Sequence, residues 1–443
     1  MTASAELATF AAGLDADHID PWLLRKLKRH LLDTIGVACA GVNEQEPRAV
    51  GGVLQRWGGV PESTAIGCST RLPAPKAAFL NAIAARILTF DDTYEAGPTH
   101  PGSAVVAAAL AVAERVGASG LTFAAALLAG YEVAIRVAKA LGPEHYRSGF
   151  HASGTCAPFG AAAAAARILG LSGKETTSAL GLAGEAAIGL RQHQLDGSLF
   201  DSALNAARGA ELGVTAAEFA ASGLTGPEGV LDGRWGVLAM MSQAGDPAAL
   251  TSDLGTTWVF AETSLKPFAS CRFTHGPVAA LRDAATTPAE VEEIEIAAFR
   301  ESYDVSNRPN PETLFDAILS HQLAAALAIS GRPIMPTEFV QIDQDIRDLA
   351  ARVRVTHDPS LDQLRPQLWP HRITVRLKNG RVLNLSSDQP PEPTEPEAQA
   401  KFRLLAGPVL GEDRVAKLII LTDALESLPD IRELTGLLGG PSS

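Results

Sequence analysis

Through the first 265 residues the apolar positions recur at helical spacing and show no strand–helix alternation. Leu23, Leu24, Leu27, Leu31 and Ile35 follow one helical face, and Asp20–Pro21 ahead of them supplies a capping side chain and a residue pre-set for a first turn. A second helix is expected from a cap at Ser103 through VVAAALAVAERV to Gly117. A third is expected from a cap at Thr155 through FGAAAAAARIL to Gly170, with Pro158 in its first turn, where a missing N–H costs little. Gly, Pro or charge is read as breaking the most apolar stretches before about 18 residues, so no membrane span is expected.

The pattern changes beyond about residue 290, where Ile294, Ile296 and Ala298 alternate with polar neighbours as in a half-buried strand. Ile373, Val375 and Leu377 alternate likewise. Asn379–Gly380 and RVLNLSS follow, which predicts a hairpin closed by a type I′ turn. SSDQPPEPTEPEAQA reads as a Pro- and acid-rich linker, after which FRLLA and DRVAKLIILTDALESL return to helical periodicity. The expected fold is mainly α. A large all-helical domain spans 1–265 and is completed by 402–443, and a smaller α+β lid domain at 266–401 is inserted into it. No internal repeat is seen.

Composition narrows the chemistry. A chain of 443 residues with 46% apolar side chains has core material for two domains, and its 5% aromatic content with abundant Ala and Gly favours closely packed helices. A net charge of −13 repels phosphate backbones and anionic lipid, so neither nucleic acid nor membrane is an expected partner. The four cysteines, Cys39, Cys68, Cys156 and Cys271, form no CxxC pair. No disulfide framework or metal site is therefore expected, and a reducing cytoplasm fits. MTASAELATFAAGLDAD has no basic stretch before an apolar run, so no signal peptide is expected. There is no Walker loop, no GxGxxG after a strand and no HExxH, which leaves nucleotide and zinc-hydrolase chemistry without a motif.

Four polar clusters remain. In Phe90-Asp91-Asp92-Thr93-Tyr94, two adjacent carboxylates stand in apolar surroundings, and His100 follows just ahead of a predicted helix start. A helix N-terminus offers N–H groups and a positive dipole end to a carboxylate. Asp91 or Asp92 capping a turn is an equally good reading of the aspartates alone. Gly149-Phe150-His151 repeats the arrangement, with His151 shortly before an Ala-rich helix. Lys266 and Arg272, with Cys271 and His275, bring two fixed cations, a thiol and an imidazole into one short segment, which suits recognition of a polycarboxylate. Cys271 is read as a packed or neighbouring thiol rather than a nucleophile. Gly189–Gly197, with Arg191 and His193, reads as a polar loop, where binding and solvated roles are balanced.

These segments resemble the MmgE/PrpD family, which includes 2-methylcitrate dehydratase, cis-aconitate decarboxylase and iminodisuccinate epimerase. LLDTIGVACAG is similar to its N-terminal helix, FDDTYEAGPTHPGSAVVAAALAVAE to its "DFDD…HP" segment, and GFHASGTCAPFGAAAAAARILGLS to its central histidine segment. SLKPFASCRFTH is similar to its lysine-to-histidine segment, and AKFRLLAGPVLG with LPDIRELTGLL to its C-terminal return. The resemblance implies a helical domain with an α+β lid, a site in the cleft between them, no cofactor, and a homodimer. It carries catalytic roles onto Asp91, Asp92, His100, His151, Lys266 and His275. Arg86, Thr93, Cys271, Arg272 and His193 are the expected substrate-binding residues. Two departures stand out. Arg86 and Thr89 occupy the His and first Asp positions of the family's His-x-x-Asp-Phe-Asp-Asp, and GSLFDSALNAARG, with Asp201, Ser202 and Asn205, lacks the lysine of its "GTMTK" segment.

The shared chemical problem is charge at a carbon beside a carboxylate, which needs a base of near-neutral pKa and electrostatic stabilisation. His151 or His100 is the expected acid or base, Lys266 and Arg272 the expected charge stabilisers, and Asp91 or Asp92 the residue orienting a histidine. The substrate is expected to be a small anionic di- or tricarboxylic acid. A 2-methylcitrate-dehydratase-like reaction stands first. Epimerisation of a substituted succinate is the alternative, and a non-catalytic carboxylate-binding homologue is the third reading.

Overall fold

Asp20 caps the helix Pro21–Gly41 by accepting the Trp22 N–H, and Pro21 occupies the first turn. The computed structural model describes every residue except Ala16, His18, Pro366 and 441–443. Helix makes up 59% of it and strand 8%, so the fold is mostly α. The chain divides into two units. One comprises Met1–Gln192, Phe200–Leu265 and Thr394–Ser443, and the other His193–Leu199 and Lys266–Pro393.

In the first unit the helices Pro101–Val116, Gly120–Arg147 and Ala152–Ile168 pack on one another as a buried, Ala-rich layer. The last two approach closely through paired glycines. A Cβ at Gly160 would stand 2.7 Å from the Gly130 carbonyl oxygen and 2.7 Å from the Ala134 Cβ. Gly120–Arg147 is long and apolar enough to cross a membrane, which corrects the expectation that no stretch reaches that length; most of its apolar window is buried in the unit. The helix Glu395–Leu410 packs on Pro21–Gly41. It starts inside the segment read as linker, SSDQPPEPTEPEAQA, because the Glu397 carboxylate accepts both the Thr394 N–H and hydroxyl at 2.7 Å, a capping box.

Two helix starts differ from the expected ones. Pro101–Val116 has His100, not Ser103, at its N-cap, and Ala152–Ile168 has His151, not Thr155. The latter shift moves Pro158 from the first turn into the helix interior. Pro101 at the first helical position explains one start, since its fixed φ and missing N–H suit that place.

The second unit is built on a four-stranded sheet in the order Val353–His357, Val291–Ala298, His371–Leu377, Val382–Ser387, with the first pair parallel and the others antiparallel. Ile294, Ile296, Ala298, Ile373, Val375 and Leu377 all face its core. The hairpin forms, but not with a type I′ turn. Only Gly380 has a positive φ, 84°. The Gly380 N–H donates to Leu377 O at 2.8 Å and the Leu377 N–H to Arg381 O at 2.9 Å. This is a three-residue loop that places glycine in the left-handed position. The segment read as a polar loop at 189–197 contains a short helix, Gln192–Asp196, and its residues from His193 belong to this unit.

A buried polar chain crosses this unit's core. Ser302 Oγ lies 2.8 Å from His321 Nε2 and 2.9 Å from His371 Nε2. His371 Nδ1–H donates to Trp369 O at 3.1 Å, so its Nε2 accepts the Ser302 hydroxyl, and Ser302 in turn accepts His321 Nε2–H. Burial pushes His321 down to about 3 and His371 well below the usual histidine range. Unfolded histidines take up a proton near pH 6.5 while these stay neutral, so their contribution to stability is present above that pH. It is lost as pH falls from 6.5 toward about 3, at roughly 1.4 kcal/mol per pH unit for each histidine. Thermal unfolding followed between pH 7 and 4 should show this slope, and His321→Gln should flatten it. An unchanged slope in that variant contradicts the assignment.

Candidate functional site

Asp92 is wholly buried and anchors the candidate site in the helical unit. Its carboxylate accepts three donors from three helices: His30 Nδ1–H at 3.0 Å, the Tyr131 hydroxyl at 2.8 Å and the Gly102 N–H at 2.9 Å. The last is an N–H of the first helical turn, a position whose donors lack partners within their own helix. Burial, followed by the neighbouring Asp92 charge, pushes the Tyr131 hydroxyl well above its usual range, so it remains a donor. Phe260 packs edge-on against His30, with ring centroids 5.0 Å apart, and closes the apolar side.

The backbone of Asp92 then sets His100. His100 Nδ1 lies 2.7 Å from Asp92 O, 3.3 Å from Thr93 Oγ1 and 3.8 Å from Asp91 Oδ1. A carbonyl oxygen only accepts, so Nδ1 carries the proton and the neutral ring keeps its lone pair on Nε2. The sequence assigns orientation of a histidine to Asp91 or Asp92; the Asp92 carboxylate holds His30, and the Asp92 backbone carbonyl holds His100. Asp91 pairs with Arg86 at 3.0 Å, and both side chains are buried. Arg86, expected from sequence as a substrate-binding cation, thus stands as the counterion of Asp91.

His151 lies close by in the same unit. The His100 N–H donates to Ser153 Oγ at 3.1 Å, which joins the start of Pro101–Val116 to the first turn of Ala152–Ile168. The His151 N–H donates to Gly189 O at 2.9 Å. Behind it, His145 is held by Thr155 Oγ1 at 2.8 Å and Met241 O at 2.9 Å, and burial pushes its pKa below the usual value. Arg191 donates to Tyr146 O at 2.7 Å and stacks 3.6 Å from the Tyr146 ring, fixing the 189–191 loop against this turn. Two helix N-termini, each with an imidazole at its cap position, thus meet in one unit, an arrangement that favours a bound carboxylate beside a proton carrier.

The second unit holds the other expected residues. Lys266 is fully buried. Arg272 donates to Pro391 O at 2.8 Å and lies 3.1 Å from His275 Nδ1, while His275 Nε2 lies 3.2 Å from Ser270 O. Arginine and carbonyl together fix the His275 tautomer with its proton on Nε2 and engage both ring nitrogens. Cys271 is half-buried at the N-cap of the Arg272–Thr274 turn, with its N–H donating to Ile318 O at 3.0 Å. His193 is buried with its ring centroid 5.9 Å from that of Phe315. Among the described residues, no three His, Cys, Asp or Glu side chains are grouped as metal ligands.

Sequence reasoning missed His30, Asp33, Tyr131 and Lys401. Lys401 pairs with Asp33 at 2.7 Å, donates to Phe90 O at 3.0 Å and lies 3.7 Å from the Phe90 ring centroid. Burial lowers the Lys401 pKa, and burial raises Asp33 to about 6 despite the lysine. His30, Asp33 and Lys401 each interrupt an apolar helical face, which was the available signal: His30 and Asp33 follow Leu23 and Leu27 at helical spacing, and Lys401 precedes Phe402. Thr89 supplies a different signal. Its φ of 55° is rare for a β-branched residue and marks the turn that aims Phe90–Asp92.

A Cβ on Gly102 would stand 2.6 Å from Tyr131 Oη and 2.7 and 2.8 Å from the Asp92 carboxylate oxygens. Gly102→Ala should therefore force Asp92 from its donors and destabilise by about 1–3 kcal/mol. Tyr131→Phe, which removes one donor to a buried charge, should cost about 1.5–3 kcal/mol. Denaturant titration reads both, and wild-type stability in Gly102→Ala contradicts the proposed crowding.

Comparison with known proteins agrees with the resemblance read in the sequence. Residues 5–249 match the MmgE/PrpD N-terminal domain and residues 268–427 the MmgE/PrpD C-terminal domain. A cis-aconitate decarboxylase of Aspergillus terreus is 26% identical, covering 99% of this chain and 96% of that protein. The cis-aconitate decarboxylases of Mus musculus and Homo sapiens are each 29% identical, covering 97% and 98% of this chain and 92% and 94% of their own. With both domains matched in order over most of its length, the chain belongs to the MmgE/PrpD family.

Proposed function

We propose that this protein is a cofactor-independent lyase that acts on a small di- or tricarboxylic acid at a carbon beside a carboxylate. One observation carries the reading: His100, at a helix N-cap, has its tautomer fixed by Asp92 O and stands beside a second helix N-terminus. Relatives named as decarboxylases along nearly the whole chain support decarboxylation of an unsaturated tricarboxylate ahead of the dehydration expected from sequence.

In that reaction the bond from carbon to one carboxylate breaks, CO₂ leaves, and the electron pair is delocalised toward a remaining carboxylate. An imidazolium, His100 or His151, then delivers a proton to carbon and is reprotonated by water. The positive dipole ends of the two helix starts favour the negative charge that develops. Lys266 is proposed as a further cation for a substrate carboxylate, on the strength of its family segment. Dehydration and epimerisation begin instead with proton abstraction by the same imidazole and differ in the fate of the carbanion: loss of hydroxide in one, return of a proton in the other.

The test is incubation of the full chain in D₂O with cis-aconitate, hydroxy tricarboxylates and substituted succinates. CO₂ release with one deuterium on the product carbon is the expected result. Water loss without CO₂ assigns the dehydratase, deuterium exchange with inversion assigns the epimerase, and binding without exchange assigns a carboxylate-binding protein. His100→Gln should lower kcat by about 10²–10⁴-fold with the fold intact. Lys266→Ala should act mainly through KM. Undiminished turnover in His100→Gln removes that residue from the mechanism.

A further inference from the structure

The turn carrying Asp91 and Asp92 is held at both ends. At its far end the Asp92 carboxylate takes three donors. At its near end Lys401, from the last segment of the unit, donates to the Phe90 carbonyl and lies over the Phe90 ring. Between helix Ala74–Ile87 and this turn sits Thr89, in the left-handed region at φ 55°. Such a conformation persists only where its surroundings over-determine it. Lys401 is in turn held by Asp33 at 2.7 Å, with both side chains buried. A charged pair in this position both tethers the turn and contributes to its field, because water does not screen it.

We propose that Lys401 and Asp33 are positioning residues: together they pin the Phe90–Asp92 turn and fix the charge against which His100 exchanges its proton. The proposal rests on the reading of His100 as the proton carrier. The groups facing His100 and the turn come from every neighbouring element. His30 and Asp33 lie on Pro21–Gly41, Arg86 on Ala74–Ile87, and Asp91 and Asp92 on the turn itself. Tyr131 lies on Gly120–Arg147, His151 caps Ala152–Ile168, and Lys401 lies on Glu395–Leu410. Of these, Asp33 has a pKa raised to about 6 by burial, with Lys401, Asp92 and Asp91 as the charges acting on it, so the pair and the two aspartates of the turn share one field.

Substitution gives signed expectations. Asp33→Asn leaves the Lys401 cation without its carboxylate. The added positive charge disfavours an imidazolium nearby, so the His100 midpoint falls, by about half a unit to one unit. Adding Lys401→Met to Asp33→Asn removes that cation, and the midpoint rises again. Lys401→Met alone releases the Phe90 tether while leaving a buried carboxyl free to take up a proton, so kcat falls more than the midpoint moves.

The experiment is NMR titration of the full chain with ring-carbon-labelled histidine, the His100 signal being assigned by its loss in His100→Gln. Expected are a midpoint lower than wild type in Asp33→Asn and one higher than that in the double variant, each variant shown to be folded by thermal denaturation. A midpoint that stays at the wild-type value in both, or rises in Asp33→Asn, overturns the proposal. If Asp33→Asn does not fold, the double variant, in which both charges of the pair and the Phe90 tether are absent, is compared with wild type; its midpoint should move from the wild-type value, and an unmoved midpoint overturns the proposal. The titration needs no substrate, so it is distinct from the test of the lyase reading. Where turnover is measurable, the acid limb of kcat/KM should move with the His100 midpoint, and a loss of activity with an unmoved limb marks a purely structural pair.

Discussion

A carboxylate buried without water must be met by donors, and the Asp92 carboxylate determines much of the helical unit's interior. Loss of hydration at such a charge costs several kcal/mol unless hydrogen bonds replace it. Here His30, Tyr131 and the Gly102 N–H replace it, and each arrives on a different helix. The requirement locks three helices to one point and leaves no room for a side chain at Gly102. It also fixes the Asp92 carbonyl, and with it the tautomer of His100. Structural constraint and chemical poise therefore share the same few atoms.

The two histidines at helix N-caps extend that logic. A helix start carries N–H groups without intrahelical partners and the positive end of the dipole. Joined by the His100 N–H to Ser153 Oγ bond, the two starts bring their positive dipole ends to where two imidazoles stand. In the second unit the expected cationic segment is more internally committed. Arg272 spends donors on Pro391 and His275, and His275 has both ring nitrogens engaged, which makes it an orienting group for that turn. The Ser302–His321–His371 chain is likewise satisfied by neutral hydrogen bonds, because burial disfavours the charged imidazoles.

Much of this was legible along the chain. Asp20–Pro21 gave a helix start, and the alternation at Ile294–Ala298 and Ile373–Leu377 gave two strands whose apolar residues face a core. Asp91, Asp92, His100 and His151 stood out because charge in an apolar context asks for a partner. What escaped depended on neighbours. Pro101 and the contacts around Ser153 place the helix starts at His100 and His151, ahead of the better-looking caps. Asn379–Gly380 gave a hairpin, but strand pairing selected a three-residue loop with glycine alone at positive φ. Thr394–Glu397 form a capping box inside what composition marks as linker.

The sequence by itself determined the helical class, the sheet-bearing insertion, the family and the residue types available for proton transfer, since these follow from local periodicity and from motifs contiguous in the chain. Only the tertiary structure decided which charges are spent internally. Arg86 is neutralised by Asp91, and Lys401 reaches back across 311 positions to the Phe90 carbonyl. His30 is the partner of Asp92 rather than an ordinary core residue. The reason is physical: a side chain's charge state and role are set by what surrounds it within a few ångströms, and burial brings together groups that periodicity along the chain cannot pair.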